Sequence, residues 1–296
     1  MTTRPTIGWI GAGRMGAAMA SFILKAGYPL KVYSRTAASR AKLVALGAVD
    51  TESVAQCTRG AEVIFACVSD DAALREVALG EAGVLHNAAT HAVFADTSTV
   101  SSEVSAEIAR AAEQRALAFL RMPISGNAAS AVKGEVTVMV SGPQVDWLRV
   151  QPVTQTFSKA QLYLGQGEEA RVMKLVVNSM VITMAQGMAE ALTLGKKAGL
   201  DWNVMLDTLA QSTIASPWLK AKCALMKPRD FNPTMTSRLS MKDVDLILGA
   251  ARGAEVPMPL TATTRQLLQA LIGEGCGEED YMALIKLMEK QSGIVQ

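Results

Sequence analysis

The run Gly11-Ala12-Gly13-Arg14-Met15-Gly16, with the pattern GxGxxG, constrains the fold of this chain more than any other feature. It follows the apolar run Ile7–Ile10 and precedes a stretch with helical spacing. In a strand–turn–helix unit the first glycine allows a tight turn, the second lets a pyrophosphate approach the backbone, and the third lets the helix pack closely on the strand. The N–H groups at the start of the helix favour phosphate oxygens. The pattern therefore predicts that these six residues hold a dinucleotide cofactor.

The end of the second predicted strand bears on which nicotinamide cofactor fits. The chain reads Ser34-Arg35-Thr36 there, where a site that prefers NAD usually has a carboxylate for the ribose 2′-hydroxyl. A guanidinium can bind a 2′-phosphate through two parallel hydrogen bonds, whereas a carboxylate would repel it. We therefore predict cofactor contacts at these three residues and a preference for NADP. NAD remains an alternative if Arg35 is only a surface arginine.

Short β-branched runs alternate with helical patterns through the first half of the chain. Such alternation is typical of a doubly wound, mostly parallel sheet. The predicted strands are Thr6–Ile10, Leu30–Ser34, Val63–Val68, Ala92–Asp96, Ala118–Arg121, Val136–Ser141 and Gln161–Leu164. The predicted helical segments are Gly16–Gly27, Ala37–Gly47, Ala72–Ala78 and Ser101–Arg115. Residues 1–164 are therefore expected to form an α/β, NAD(P)-binding Rossmann domain.

The pattern becomes helical throughout after Gly165. From Glu168 to Ala198 the apolar positions follow a helical period over an unusually long stretch. Further helical patterns cover Asn203–Ser212, Trp218–Leu225, Met241–Arg252, Thr261–Gly273 and Glu279–Gln291. Prolines lie in the gaps, where they can begin or end helices. Residues 165–296 are therefore expected to form an all-α C-terminal domain for substrate binding and dimerisation.

Lys174 is the candidate proton-transfer residue. It lies four residues before Asn178, so the two share one helix face, and their neighbours are almost all apolar. A buried lysine is rare without a partner or a function, and we expect burial to lower its pKa towards the range of a general acid and base. The alternative is a lysine that reaches water from the first turns of the helix. The chain has only two histidines, so few other bases are available.

Charge and polarity patterns exclude several classes of partner. The formal net charge is +2 over 296 residues, and no Lys/Arg-rich run occurs, so nucleic acid is not an expected partner. The most apolar segment, roughly residues 172–189, contains Lys174 and several polar side chains. A membrane span rarely carries these groups, so we expect a buried helix and no membrane association.

The cysteines and histidines indicate neither a disulfide framework nor a metal site. Cys57, Cys67, Cys223 and Cys276 show no CxxC spacing and lie near no histidine in sequence, which is typical of reduced thiols in a cytoplasmic protein. His86 and His91 flank a predicted turn and lack the helical spacing of a zinc motif. We therefore predict no metal and a cytoplasmic location.

Six ordered motifs resemble those of the β-hydroxyacid dehydrogenase family. IGWIGAGRMGAAMA is similar to the N-terminal signature of the family, and CVSD (Cys67–Asp70) and DTSTVSS (Asp96–Ser102) are similar to its cofactor-lining loops. RMPISGNAASAVKG (Arg121–Gly134) resembles its substrate loop, GQGEEARVMKLVVNS (Gly165–Ser179) its catalytic helix, and MKDVDL (Met241–Leu246) its late Lys-Asp motif. Six motifs in this order are far more specific than any one alone.

The resemblance implies a role for each matching residue. Lys174 would be the catalytic acid and base, and Asn178 would orient the substrate. Ser125, Gly126 and Asn127 would bind a substrate carboxylate. Val68, Ser69 and Thr99 would line the cofactor, and Lys242 would reach the cofactor or substrate. The resemblance also implies a homodimer or homotetramer.

The substrate loop departs from the family pattern at two positions. The family usually has an Asp where this chain has Arg121, and a Gly where it has Asn127. The resemblance therefore implies hydride transfer between a nicotinamide cofactor and a small β-hydroxy acid or semialdehyde without naming the substrate. Two alternatives stay open at this point: an imine reductase or reductive aminase on the same scaffold, and a non-catalytic NADP-binding interaction protein.

Overall fold

The computed structural model describes residues 4–294, and its first part is an α/β structure. The strands are β1 (Ile7–Ile10), β2 (Leu30–Tyr33), β3 (Val49–Asp50), β4 (Val63–Ala66), β5 (Val93–Asp96), β6 (Ala118–Arg121), β7 (Ile124–Ser125), β8 (Val136–Ser141) and β9 (Ser158–Gly165). The helices among them are α1 (Arg14–Lys25), α2 (Ala37–Ala45), α3 (Val54–Thr58), α4 (Asp71–Leu79), α5 (Val84–Asn87), α6 (Ser102–Glu113), α7 (Ala128–Val132) and α8 (Gln144–Thr154).

The strands form one sheet in which most neighbours are parallel. Its order is β3-β2-β1-β4-β5-β6-β8-β7, and β9 pairs with β8. The pairs from β3 across to β6 are parallel, as is β8 with β9, whereas β8 runs antiparallel to β6 and β7. The predicted doubly wound, mostly parallel sheet is confirmed. The winding reverses between β1 and β4, and ligands of such sheets bind beyond the carboxyl ends of the strands at this point.

Helices cover both faces of the sheet, which explains why the central strand β4 is apolar at every position. All four residues of β4 are buried. Val63 and Phe65 belong to the core on one face, and Ile64 and Ala66 to the core on the other. A strand buried on both faces reads as a continuous apolar run rather than as an alternation. This burial holds the strand ends, and hence the loops that follow them, in fixed positions.

The second part of the chain is helical, as predicted. Its helices are α9 (Glu169–Lys197), α10 (Trp202–Gln211), α11 (Pro217–Met226), α12 (Ser237–Gly253), α13 (Pro259–Gly273) and α14 (Leu284–Gln291). By compactness the chain divides into one unit that ends at Lys174 and a second that begins at Leu175, so the division falls inside α9. The sheet itself ends at Gly165.

Helix α9 is long and apolar enough to cross a membrane by length and composition alone. Its buried residues, however, include Arg171, Lys174, Asn178 and Gln186. Charged and amide side chains buried against the protein are typical of a core helix, because in lipid they would need other polar partners. The structure therefore confirms a helix in this segment, but only one face of it is buried.

Several short elements are not predicted by the sequence patterns. They are β3, β7, α3, α5, α7 and α8. Most of them contain two to five residues, too few for a periodic pattern to emerge. Helix α8 is longer, but it contains Pro152, a residue that usually interrupts helices.

Some element boundaries differ from the prediction, and side-chain capping explains two of these differences. Helix α1 begins at Arg14 rather than Gly16, with Gly13 as its N-cap. Helix α12 begins at Ser237 rather than Met241, because the Thr236 hydroxyl accepts a hydrogen bond from the Leu239 N–H over 3.1 Å. The last predicted helix is divided into a 3-10 helix, Tyr281–Ala283, and α14, because the buried Asp280 caps a tight turn there.

The two histidines are placed differently from the prediction. His86 lies in the short helix α5, and only His91 lies in the turn before β5. Among residues 4–294 no group of three or more His, Cys, Asp or Glu side chains is arranged to hold a metal ion.

Candidate active site

Gly11 closes the turn between β1 and α1 in a conformation that glycine adopts readily and other residues do not. Its φ is +97°, and a Cβ here would collide with the carbonyl oxygen of Cys67. The Trp9 Nε1–H donates to the Gly11 carbonyl over 3.0 Å, and the Gly11 N–H donates to the Tyr33 carbonyl over 2.8 Å. The turn is therefore fixed against the carboxyl ends of the neighbouring strands.

The start of α1 has the properties that a phosphate group needs. No side chain caps this helix, and its first turn has no acidic residue. Gly13 is exposed, and nothing lies within 4 Å of the position that a Cβ would take. At Gly16, by contrast, a Cβ would collide with the Gly11 carbonyl oxygen, so the helix packs directly on the turn. Of the other predicted contacts, Ala12 is buried, Met15 is half-buried and Arg14 is exposed. These residues fit a pyrophosphate at the helix start.

Ser34, Arg35 and Thr36 join β2 to α2. Arg35 is exposed, and Thr36 is the N-cap of α2, a second helix start with no side-chain cap and no acidic residue in its first turn. Arg40 donates from Nη1 to the Ser34 carbonyl over 2.7 Å and pairs with Asp50. The sequence patterns do not identify Arg40, because its partner lies on the two-residue strand β3.

The loops that follow β4 and β5 are joined by side-chain hydrogen bonds. The Ser98 hydroxyl accepts from the Val68 N–H over 2.9 Å. Asp71 accepts from both the N–H and the hydroxyl of Ser101, over 2.9 and 2.6 Å. Burial raises the pKa of the Cys67 thiol, which precedes Val68, to about 11, so this thiol stays protonated near neutral pH. Two of the predicted cofactor-lining residues, Ser69 and Thr99, lie on these loops, exposed and half-buried respectively.

The predicted substrate loop forms the short strand β7 and the start of α7. Ser125 pairs with Thr137 of β8 and is half-buried. Gly126 has a φ of +151°, and a Cβ there would lie 2.6 Å from the Ser130 hydroxyl. Asn127 caps α7: its side chain accepts from the Ser130 N–H over 3.0 Å, and its own N–H donates to the Ser130 hydroxyl over 2.8 Å. These bonds show that Asn127, which replaces the usual glycine, has a structural role within the loop.

Arg121, the other departure from the family pattern, is buried and paired. Its Nε and Nη2 both donate to Glu168 Oε1, over 2.9 and 2.5 Å, and its guanidinium lies over the Phe119 ring. The arginine therefore joins the end of β6 to the residue just before α9. The charge is matched within the chain, so it does not by itself indicate a new ligand.

Lys174 lies on α9 with 8 % of its surface exposed, as the apolar pattern predicts. One turn earlier, Arg171 is fully buried and forms an ion pair with Asp96 at the end of β5. Arg171 also donates to the Ser98 carbonyl over 2.6 Å. The first turn of α9 is therefore bound to the loop that carries Thr99.

Asn178 and Lys242 meet at one carboxylate in the helical unit. The Asn178 amide donates to Asp243 Oδ2 over 2.6 Å, and the Lys242 ammonium lies 3.0 Å from Asp243 Oδ1. Asp243 is 3 % exposed. The structure thus brings together two residues that the sequence analysis treated separately.

Four residues of this arrangement are missed as site candidates by the sequence analysis: Asp96, Ser98, Arg171 and Asp243. Each lies inside a quoted motif: Ser98 and Asp243 stand directly beside a candidate residue, Arg171 lies one helical turn before Lys174, and Asp96 lies three residues before Thr99. A buried charge with a distant partner is the signal that would identify them, and that signal needs tertiary contacts.

Comparison with known protein families covers nearly the whole chain. The family model described as the NAD binding domain of 6-phosphogluconate dehydrogenase matches residues 6–165. The model described as the NAD-binding of NADP-dependent 3-hydroxyisobutyrate dehydrogenase matches residues 166–288. Both descriptions refer to enzymes that use a nicotinamide cofactor.

Individual relatives agree with these family models. The chain is 30 % identical to 2-(hydroxymethyl)glutarate dehydrogenase of Eubacterium barkeri, over 97 % of this chain and 96 % of that protein. It is 29 % identical to glyoxylate/succinic semialdehyde reductase 2 of Arabidopsis thaliana, over 96 % of this chain and 79 % of that protein. The crystal structure of 3-hydroxyisobutyrate dehydrogenase from Salmonella typhimurium matches with a TM-score of 0.87 and 26 % identity, over 95 % of this chain and 99 % of that one.

The glycine turn, the uncapped helix start and the lysine on α9 agree with these matches over both parts of the chain. The expected resemblance is therefore confirmed, and the chain belongs to the β-hydroxyacid dehydrogenase family as an NAD(P)-dependent oxidoreductase.

Proposed function

We propose that this enzyme interconverts a small β-hydroxy acid and its semialdehyde or oxo acid, with Lys174 as general acid and base. The observation that carries the proposal is the burial of Lys174 on α9, one turn after the arginine bound at the end of β5. A lysine is rarely this buried unless it is paired or functional. Lys174 follows Arg171 by three positions on α9, which supports a location near the loops that are expected to line the nicotinamide.

The residues of this chain would handle the proton and the substrate. A bound reduced nicotinamide would supply the hydride for the carbonyl carbon. Lys174, as an ammonium, would donate a proton to the carbonyl oxygen as it gains negative charge, and its positive charge would stabilise that oxygen before transfer is complete. In the direction of oxidation, neutral Lys174 would take the proton from the hydroxyl.

A carboxylate on the substrate fits both the loop and the names of the relatives. Ser125 provides a hydroxyl, and Gly126 and Asn127, which follow it, are exposed. The substrates named for the relatives above (glyoxylate, succinic semialdehyde, hydroxymethylglutarate and hydroxyisobutyrate) all combine a carboxylate with an aldehyde or a hydroxyl group. We propose that Asn178 and Lys242, held at Asp243, orient such a substrate.

We further propose that NADP is preferred over NAD. Arg35 is exposed beside the uncapped start of α2, with no acidic residue in the first turn of that helix. A 2′-phosphate could accept two hydrogen bonds from the guanidinium, whereas no carboxylate among Ser34, Arg35 and Thr36 is available to favour a 2′-hydroxyl.

A self-associated state is a further part of the proposal. Helix α9 exposes an apolar row with helical spacing, made of Val172, Val176, Met180 and Met184. Apolar rows of this length are unusual on the surface of a monomer. We propose a homodimer or homotetramer, which light scattering on the purified protein would measure; a monomer at micromolar concentration would contradict it.

A substrate panel tests the main proposal. Glyoxylate, succinic semialdehyde, 3-hydroxyisobutyrate and L-serine would each be assayed with NADPH or NADP⁺, and with NADH or NAD⁺, by absorbance of the reduced nicotinamide. Cyclic imines would be assayed beside them, since an imine reductase has the same scaffold. Turnover of imines with no turnover of any carboxylate-bearing alcohol or aldehyde would overturn the proposal.

A further inference from the structure

We infer that Arg171 and Asp96 are positioning residues that fix Lys174 relative to the loops lining the cofactor. The inference rests on the proposed role of Lys174 as acid and base. It concerns a buried ion pair inside the first compact unit of the chain, which ends at Lys174.

The guanidinium of Arg171 makes hydrogen bonds to three different parts of the fold. Nη2 donates to Asp96 Oδ2, the last residue of β5, and Nη1 donates to the Ser98 carbonyl over 2.6 Å. Nε donates to the Ser105 hydroxyl on α6 over 3.3 Å. Arg171 is 1 % exposed and Asp96 is fully buried, so solvent does not compete for these bonds.

The carboxylate of Asp96 extends the network to the other cofactor loop. Its Oδ1 accepts from the N–H and the hydroxyl of Ser98, over 3.1 and 2.6 Å. The Ser98 hydroxyl in turn accepts from the Val68 N–H over 2.9 Å. One set of bonds therefore joins the loop after β4, the loop after β5 and the first turn of α9.

The geometry of this network favours positioning over stability alone. Replacing a buried ion pair by packed apolar residues of similar volume is often neutral or stabilising, so the pair is weak evidence for a gain in stability. The guanidinium, however, is a rigid planar fork, and donors aimed at three acceptors determine both the location and the rotation of the helix turn that carries it. Lys174 follows Arg171 by three positions and therefore lies on the same side of α9. Catalytic proton transfer is sensitive to displacements of about 1 Å.

A double-mutant cycle with Lys174 separates positioning from a purely structural role. Arg171→Lys keeps the positive charge but loses the planar guanidinium and its several N–H donors. If Arg171 acts through Lys174, we expect Arg171→Lys to lower kcat about 10- to 100-fold in the wild-type background. In the Lys174→Ala background the same change should lower the residual kcat by less than about twofold, because the group being positioned is absent. KM should change little in either case.

Two features of the design keep the result interpretable if a variant folds poorly. Rates are expressed per cofactor-binding site, titrated by fluorescence of the reduced nicotinamide, so that only folded protein is counted. Asp96→Asn provides an independent second variant, because it removes the charge but can keep the Ser98 bonds. Its matched control is Asp280→Asn, which breaks the equally buried Lys222–Asp280 pair in the helical unit. We expect both to lower Tm, but only Asp96→Asn to lower kcat per site.

The possible results distinguish failure of this inference from failure of the proposed function. Near-normal kcat in Lys174→Ala would remove Lys174 from the mechanism, and both proposals with it. If Lys174→Ala is slow, two results would overturn the positioning role alone. One is that Arg171→Lys lowers kcat equally in both backgrounds, and the other is that Arg171→Lys does not lower kcat in the wild-type background.

Discussion

Gly16 lies so close to Gly11 that a Cβ on Gly16 would collide with the Gly11 carbonyl oxygen. The same carbonyl accepts a hydrogen bond from the indole N–H of Trp9, so it cannot move without loss. The third glycine of the motif is therefore required by packing of the fold, whereas the second, Gly13, faces open space. The two glycines should respond differently to the same substitution.

We expect Gly16→Ala to destabilise the fold, and Gly13→Ala to spare it while weakening cofactor binding. Overpacking a rigid site costs about 1–3 kcal/mol. A methyl group on Gly13 would instead occupy the space through which a pyrophosphate approaches the backbone. Urea unfolding and the Kd for NADPH measure the two effects. If Gly13→Ala and Gly16→Ala lowered the free energy of unfolding equally, and Gly13→Ala left the Kd for NADPH unchanged, the assignment of this turn to the cofactor would be contradicted.

Lys174→Ala should abolish most of the turnover while the cofactor still binds. Loss of a general acid and base lowers kcat by roughly 10²- to 10⁴-fold. Stopped-flow or steady-state rates with the best substrate of the panel measure kcat, and fluorescence titration measures the Kd for NADPH. Lys220→Ala, a change at an exposed lysine on α11, is the matched control and should leave both values unchanged. Activity of Lys174→Ala close to the wild type would remove this residue from the mechanism.

Arg35→Ala should reduce the preference for NADP. A hydrogen bond to a charged group contributes about 1.5–3 kcal/mol, so kcat/KM with NADPH should fall by roughly 10- to 100-fold, while that with NADH should change little. Arg110→Ala, at an exposed arginine on α6, is the control for the loss of one surface charge. A wild-type enzyme that already favours NADH would show that Arg35 does not select the cofactor.

Asn178→Asp should make the stability of the helical unit depend on pH. The amide donates to Asp243 over 2.6 Å, so the variant would place two carboxylates in contact at a buried position. One of them must then hold a proton, and its folded pKa would lie above the value of about 4 that an unfolded Asp has.

The folded form of this variant would therefore bind more protons than the unfolded form above pH ~4. Its free energy of unfolding should be closest to that of the wild type at low pH and should fall as pH rises through the raised pKa. Asn178→Ala, which adds no charge, is the control. Parallel stability profiles for the two variants between pH ~4 and 8 would contradict the contact with Asp243.

The thiols of Cys57 and Cys67 should resist alkylation in the folded protein. Burial raises the pKa of Cys57 to about 12 and that of Cys67 to about 11, from an ordinary value of 9.0. Because the thiolate is the reactive form, iodoacetamide should label both slowly at pH ~8 and rapidly once the chain is unfolded.

The raised pKa values of these two thiols also predict how the stability of the fold changes at high pH. The folded pKa of each thiol exceeds the unfolded one, so the contribution of these thiols to stability is complete below pH 9.0 and is lost as pH rises towards 11 and 12. Mass spectrometry of the labelled peptides measures the alkylation. Rapid labelling of folded Cys57 at pH ~8 would contradict its burial.

Local physics was sufficient to predict the main elements of the fold. The apolar runs of β4 and β5 indicate strands covered on both faces, and the long periodic segment from Glu168 to Ala198 indicates one helix. The predicted strand Ala118–Arg121 agrees with β6 residue for residue. Elements of two to five residues, such as β3 and α7, were missed because their stability comes from contacts with distant neighbours rather than from their own sequence pattern.

The sequence by itself determined where the glycine turn between β1 and α1 lies and that Lys174 is buried, because glycine spacing and apolar periodicity are properties of neighbouring residues. Only the tertiary structure decided which charges meet: Arg171 with Asp96, Arg121 with Glu168, and Asn178 with Asp243. Such partners are separated by 47 to 75 positions along the chain. Their pairing follows from the order of the strands and the packing of helices, which no local pattern contains.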